Sequence, residues 1–241
     1  MTEKQNVPLT LDERVIDNFR GRDPLTREVV PDAELDAAAS ALRGTRGHAE
    51  QIHALAETLA KDPTRTPAAN ALQLRQTALK LAEKAAANLD NTRARIAATI
   101  ARLEADTAAP ALPVDVHTTM LHGEIRQALS RMKDEDRHRA LTAALEAGDD
   151  RVVGAILHGP AILSGLTDAA HAMFQHRFRS TRFPAETDRI SRLGRALDAV
   201  ERGGKSFVAF VDEASATPQA RMAEQMSKKT AEMLAAIKKD A

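Results

Sequence analysis

Alanine is the feature that most constrains what this chain can fold into. It fills 47 of the 241 positions, and six Phe are the only aromatic residues, since Trp and Tyr do not occur. Alanine is the strongest helix former but buries little apolar area, whereas strands are enriched in aromatic residues. The sequence therefore predicts an all-α protein whose long helices pack closely.

Charge and cysteine content exclude several classes of function. The chain has 34 basic and 34 acidic residues and no Cys. Zero net charge argues against a surface that binds polyanions generally. Without Cys there are no disulfides, thiolate zinc sites or cysteine nucleophiles. The first eight residues are polar and no run of 18 apolar residues occurs, so we expect neither a signal peptide nor a membrane span.

Residues 1–31 are predicted to form an N-terminal arm. The spacing predicts a short helix over residues 11–20, capped by Thr10, before Gly21, Pro24 and Pro31 interrupt it. Four apolar side chains cannot form a core alone, so this face should pack on the chain's own body or on a neighbouring subunit. The interface candidates in the arm are Leu11, Val15, Ile16 and Phe19.

Residues 32–106 are predicted to form a long antiparallel helical hairpin. Two helices are expected, over about 32–61 and 68–106, joined by a turn that contains Pro63 and Pro67. Apolar residues recur at spacings of three and four along both segments, which is typical of coiled-coil packing.

The remaining chain is predicted to divide at an Ala/Pro linker, residues 107–113, because such a composition favours extended backbone. Residues 114–214 should form a compact bundle of shorter helices over 116–132, 134–147, 150–158, 168–180 and 184–202. Gly203-Gly204 should end the last of these, and 207–211 should form a separate short buried helix. Residues 215–241 should form an amphipathic helix that begins at Pro218 and presents the interface candidates Met222, Met226 and Met233.

Motifs with catalytic potential are weak. Ala199 to Ser206 fits only the loosest P-loop pattern and follows a charged helix instead of a strand. Histidines pair five residues apart at 48/53, 117/122 and 171/176, a spacing that separates two helical side chains by about 140°, so surface positions are expected. The acidic clusters 134–136 and 149–150 lie at predicted helix starts. We therefore predict no catalytic, cofactor-binding or metal residue, and a protein that is not an enzyme.

One uneven charge patch leaves three interpretations open. Six arginines alternate with Phe174, Phe178 and Phe183 in the segment from 174 to 195. Arg and Phe together favour a protein interface, but they also suit a solvated helix face or, less readily, a nucleic-acid contact. The interface candidates in this patch are Phe174, Phe178, Arg182, Arg189 and Arg192.

A broader resemblance covers about residues 121–200. The residues that carry it are Glu124-Ile125-Arg126, Leu129, Met132, Asp136-Arg137, Leu141, Ala147-Gly148-Asp149, Val153, Ala155-Ile156-Leu157, Pro160 and Ile162-Leu163-Ser164-Gly165-Leu166. This run is similar to helical proteins encoded in bacteriophage structural-gene clusters. The resemblance implies a virion or assembly role and carries over no catalytic residue.

These observations predict a non-enzymatic structural or assembly protein, a bacteriophage virion or assembly component that acts as a multimer through helical interfaces. Expected partners are further copies of the chain and other virion or assembly proteins; nucleic acid is a weaker alternative, and no cofactor or membrane contact is expected. The location would be the virion if the chain is phage-encoded and the cytoplasm otherwise. The alternative function is a cytoplasmic helical adaptor or regulator that binds a protein partner.

Overall fold

The computed structural model describes residues 6–239, apart from the side chains of residues 236, 238 and 239, and it is all-α. The predicted fold class is thus confirmed at this level. The α-helices within the described residues are α1 Arg14–Asp17, α2 Ala33–Ala60, α3 Pro67–Asp106, α4 Val116–Ser130, α5 Asp134–Ala147, α6 Asp150–Leu157, α7 Asp168–Arg182, α8 Pro184–Ser215 and α9 Pro218–Lys239. Two short 3-10 turns, Leu9–Leu11 and Ala161–Ser164, complete the helical elements of this part of the chain.

Local capping explains where four of these helices begin and where one of them ends. Side-chain oxygens of Asp32, Asp115, Asp149 and Thr167 accept backbone N–H groups in the first turns of α2, α4, α6 and α7. Each of these bonds satisfies a donor that the helix itself leaves unpaired. Gly148 ends α5 in the left-handed region, at φ 70°, which glycine adopts without strain.

The chain divides into two compact units. Unit 1 comprises residues 1–98 and 192–241, and unit 2 comprises residues 99–191. Residues 107–113 therefore lie within unit 2. Across the described residues, no helix is both long enough and apolar enough to cross a membrane.

Polar contacts in unit 1 join α2 to α3. The side-chain amide of Asn70 donates to the carbonyl of Leu59 at 2.8 Å, and Arg95 pairs with Glu34 at 3.2 Å. These contacts bring the first turn of α3 next to the end of α2, and the start of α2 next to residue 95. Buried Leu35, Leu42 and Ile52 lie on the inner side of α2.

Helix α8 does not end at Gly203-Gly204, so the predicted break between 202 and 207 is wrong. The helix continues to Ser215 and includes residues 207–211. A Cβ added to Gly203 would lie 2.7 Å from Leu42 Cδ2 and 3.4 Å from the carbonyl of Thr10. Close packing against α2 and the arm therefore requires a glycine here. The same packing keeps the helix continuous through this residue, although glycine is a poor helix former.

The arm packs on unit 1 of the same chain. Leu11 and Ile16 are fully buried, and the guanidinium of Arg195 lies over the ring of Phe19, 5.5 Å from its centroid. The predicted continuous helix over residues 11–20 is wrong, because the Asp12 carboxylate accepts the N–H of Arg14 at 3.0 Å. This local bond separates a 3-10 turn from the single-turn helix α1.

Unit 2 has its own apolar core between α4, α5, α6 and α7. Its largest buried side chains include Phe174, Phe178, Leu141 and Ile156. A buried arginine, Arg137, lies at the edge of this core. Its guanidinium donates to the carbonyls of Leu129 at 2.9 Å and Met132 at 2.8 Å, and also to that of Gly165.

Candidate interaction surface

The sequence motifs with catalytic potential occupy ordinary structural positions. Residues 199–206, the loose P-loop match, lie inside α8, where the backbone N–H groups are engaged in helical bonds and do not form a phosphate cradle. The acidic residues 134–136 occupy the first turn of α5, and Asp149 caps α6. Among the described residues, no group of three or more His, Asp or Glu is placed to hold a metal ion.

Of the six paired histidines, His117 and His176 are exposed as predicted, three are half-buried, and His122 is buried. His122 is buried, at 5 % exposure, because α4 packs on α6 through the side of the helix that carries it. Burial, with smaller contributions from His158 and Arg126, lowers the pKa of His122. Burial, followed by the charge of Lys84, also lowers the pKa of His48. The expectation of surface positions is therefore wrong for His122.

The interface candidates of the arm and of α7 contact their own units. Leu11 and Ile16 are buried in unit 1, and Val15 and Phe19 are half-buried. Phe174 and Phe178 are 0 % and 3 % exposed in the core of unit 2. These phenylalanines stabilise the unit from within, and the surface described below does not include them.

The arginines of the predicted patch make intramolecular contacts. Arg179 donates to Thr107 Oγ1 at 2.9 Å and to the carbonyl of Glu104 at 3.1 Å. Arg182 pairs with Asp150 at 2.7 Å, and the guanidinium of Arg192 lies against Gly21. Arg189 also has an interaction within the chain. Phosphate binding would have to displace such contacts, which weakens the nucleic-acid interpretation of this patch.

The apolar face of α9 is the largest predicted interface that remains open to solvent. Met222, Met226, Met233 and Ile237 are 61–69 % exposed. Since each helical residue turns by about 100°, these four side chains lie within about 60° of one another. Leu234, at 55 % exposure, extends the same face. We call these five residues the α9 face.

The first turns of α9 are fixed to α3. Arg75 pairs with Glu224 at 2.7 Å, and Ala220 is buried at 1 % exposure. The hydrogen bond from Arg75, followed by that from Lys228, lowers the pKa of Glu224. A groove of about 400 Å³ lies between the two helices, lined mainly by Ala68, Ala69, Leu72, Met222 and Met226. The α9 face thus begins beside an apolar groove.

Sequence reasoning missed a second exposed apolar surface, which lies on unit 2. Val116 and Met120 of α4 and Leu163 of the 3-10 turn are 77 %, 64 % and 52 % exposed. Met120 and Leu163 line one shallow depression together with Gly123. The i, i+4 spacing of Val116 and Met120 indicates a shared helix side, but no local pattern in the sequence indicates that this side faces solvent.

Comparison of the chain with protein-family models, with curated proteins and with solved structures gives no match.

Proposed function

We propose that this chain is a non-enzymatic structural protein that assembles into multimers through the α9 face. The observation that carries the proposal is the row of five exposed apolar side chains from Met222 to Ile237. Contiguous apolar surface on a soluble chain is typical of a site that another molecule covers.

A second copy of the chain is the occupant we propose. In folded proteins most of the stability of a helix comes from the packing of its apolar face. Beyond Met226 the described side chains of α9 are all exposed, so a neighbouring subunit would supply the missing packing. Methionine is unbranched and adapts to irregular surfaces, which suits a helix that must fit against another copy.

The predicted antiparallel hairpin of residues 32–106 is part of this proposal. The bonds from Asn70 to Leu59 and from Arg95 to Glu34 support it. In an assembly, such a hairpin would act as a stiff element that carries α9 at one end, since Arg75 and Glu224 join α9 to the first part of α3.

The resemblance of residues 121–200 to phage structural-cluster proteins supports the more specific form of the proposal, a virion or assembly component. Mass spectrometry of purified phage particles from the source organism tests this form directly. Detection of the chain at stoichiometric amounts would support it. Absence from particles, together with a stable complex with a cellular protein, would favour the adaptor or regulator instead.

Sedimentation velocity over a range of protein concentrations tests multimer formation. We expect the average mass to increase with concentration, and the double variant Met226→Lys with Met233→Lys to remain monomeric. Both side chains are exposed, so the variant should keep the helical circular dichroism of the parent chain. A parent chain that is monomeric at every concentration would contradict the proposal.

The matched control places two lysines at other exposed apolar positions. Leu9 and Leu25 are each 91 % exposed, so Leu9→Lys with Leu25→Lys adds the same charge away from the α9 face. We expect this variant to assemble like the parent. Equal loss of assembly in both variants would show that net charge, and not the α9 face, controls the association.

A further inference from the structure

An open groove on unit 1 runs between α3 and α8. Arg93 of α3 pairs with Glu201 of α8 at 2.9 Å, and a Cβ added to Gly204 would lie 3.5 Å from Leu89 Cδ1. From the first contact to the second, the residue number falls along α3 and rises along α8, so the two helices are antiparallel. The groove has a volume of about 590 Å³ and extends along α3 between residues 82 and 93.

The lining of this groove suits a helix as its ligand. Small residues, Ala82, Ala86 and Gly204, line it next to the apolar side chains of Leu89 and Phe207. Small residues allow the axis of another helix to approach to the usual distance of about 8–10 Å. An amphipathic helix that inserts apolar side chains at spacings of three and four residues is bound in such grooves.

Two apolar surfaces of unit 1 are therefore uncovered in a single copy of the chain. One is the groove, where Val208 at the end opposite to Arg93 is 57 % exposed. The other is the α9 face, where Met233 and Ile237 are 65 % and 64 % exposed. The α9 face has the apolar spacing that the groove requires, so each surface is a suitable partner for the other.

The charges beside the two surfaces are complementary. On α8, Glu201 and Lys205 both line the groove, with the negative residue first. On α9, Lys229 and Glu232 are exposed, with the positive residue first. These two residues lie on one flank of the α9 face, about 60° and 120° around the helix from Met226. A helix that lies parallel to α8 would thus place opposite charges next to each other along this flank.

The direction of α9 follows from the part of the helix that its own chain already holds. With Lys229 next to Glu201 and the two helices parallel, Glu232 comes next to Lys205 and Ile237 next to Val208. The first turns of α9, which are fixed to α3 of their own chain, then remain beyond the end of the groove. The opposite direction, with Lys229 next to Asp90, would require those fixed turns to enter the groove.

We propose that residues 229–237 of one copy dock in the α3–α8 groove of a second copy, parallel to its α8. This contact rests on the assembly proposed above and names the surface that the α9 face binds. Because α9 and the groove are different surfaces of the chain, two copies can exchange α9 reciprocally, or successive copies can form a ring or a filament.

The absence of Cys from the chain allows a direct test by cross-linking. The single variants Val208→Cys and Ile237→Cys are mixed in equal amounts and oxidised mildly, and the disulfides are identified by mass spectrometry. Random collision gives mixed and symmetric products in equal amounts, whereas docking brings residues 208 and 237 within disulfide range. We expect the mixed product to dominate. Equal amounts, or an excess of the symmetric product of residue 237, would overturn the proposal.

Reversal of charge tests the direction of the docked helix. Lys205→Glu and Glu232→Lys each place like charges next to each other, and each should raise the dissociation constant of the assembly about three- to tenfold. The double variant restores opposite charges and should assemble like the parent. Lys80→Glu, at an exposed position of α3 outside the groove, is the matched control and should leave the constant unchanged. A double variant that is weaker than both single variants would contradict this direction.

A variant that fills the groove separates this proposal from the assembly itself. Ala86 lines the groove and is exposed, so Ala86→Phe should keep the fold and should weaken assembly at least about tenfold in sedimentation velocity. Ala87→Phe, at the next exposed position but outside the groove, is the matched control. If both variants assemble like the parent while Met226→Lys with Met233→Lys does not, the α9 face binds another surface and the groove is refuted. A parent chain that is monomeric at every concentration refutes both proposals.

Discussion

Replacement of Arg137 by Met tests whether unit 2 depends on one buried guanidinium. The side chain is 8 % exposed, and it donates to three backbone carbonyls and to the carboxylate of Asp134. Asp134 is 78 % exposed, so that ion pair contributes little. The bonds to the carbonyls at the end of α4 and at Gly165 therefore account for most of the stability that Arg137→Met should lose.

The magnitude follows from those carbonyls. A hydrogen bond from a charged donor contributes about 1.5–3 kcal/mol, and an acceptor left unpaired costs about 1–3 kcal/mol. Leu129 O also accepts the N–H of Met132 at 3.1 Å, so it keeps a partner in the variant, whereas Met132 O and Gly165 O each lose a charge-assisted bond. We expect Arg137→Met to lower the free energy of unfolding by about 3–5 kcal/mol.

Thermal unfolding followed by far-UV circular dichroism is the suitable assay, since the chain has no Trp or Tyr. In a unit of this size, each kcal/mol shifts the melting temperature by about 4–8 °C. The control is Arg139→Met on the same helix, where the ion pair with Asp136 is exposed on both sides and contributes about 0.5 kcal/mol at most. If the melting temperature fell by a similarly small amount in both variants, the buried guanidinium of Arg137 would not be important for the stability of unit 2.

Three further predictions concern unit 1. Gly203→Ala should destabilise the chain by about 1–3 kcal/mol through overpacking. At Gly194 an added Cβ would meet nothing within 4 Å, so Gly194→Ala should stabilise the chain by about 0.5–1 kcal/mol. Urea denaturation measures the free energy of unfolding of both variants. Because the pKa of His48 is lowered in the folded state, the unfolded chain binds more protons, and stability should fall as the pH drops through 6.5. His48→Gln should reduce this dependence of stability on pH, and an unchanged dependence in the variant would contradict the assignment. Leu89→Asp buries a charge at a 7 % exposed position and should cost about 3 kcal/mol or more, and an unchanged melting temperature would show that this part of α3 is misplaced.

The sequence by itself determined the helical class and most helix ends. Both depend on local physics: alanine propensity acts within one helix, and caps such as Asp32, Asp149 and Thr167 act on N–H groups two or three residues away. The bounds of α3, α5 and α9 therefore agree closely with the predicted segments. The α9 face was also predictable, because its spacing is a property of a single helix.

Tertiary structure alone decided which apolar and polar side chains are buried. Gly203 has the local signature of a helix end, but contact with Leu42, 161 residues away in the chain, keeps it inside α8. Phe174 and Phe178 lie among arginines, a combination that favours an interface, but the packing of α7 places both side chains in the core of unit 2. His122 is buried against His158 only because α4 meets α6, and Arg137 finds its carbonyl acceptors only where α4 ends and the backbone turns at Gly165. Burial depends on the whole arrangement of neighbours, and no spacing along one helix contains that information.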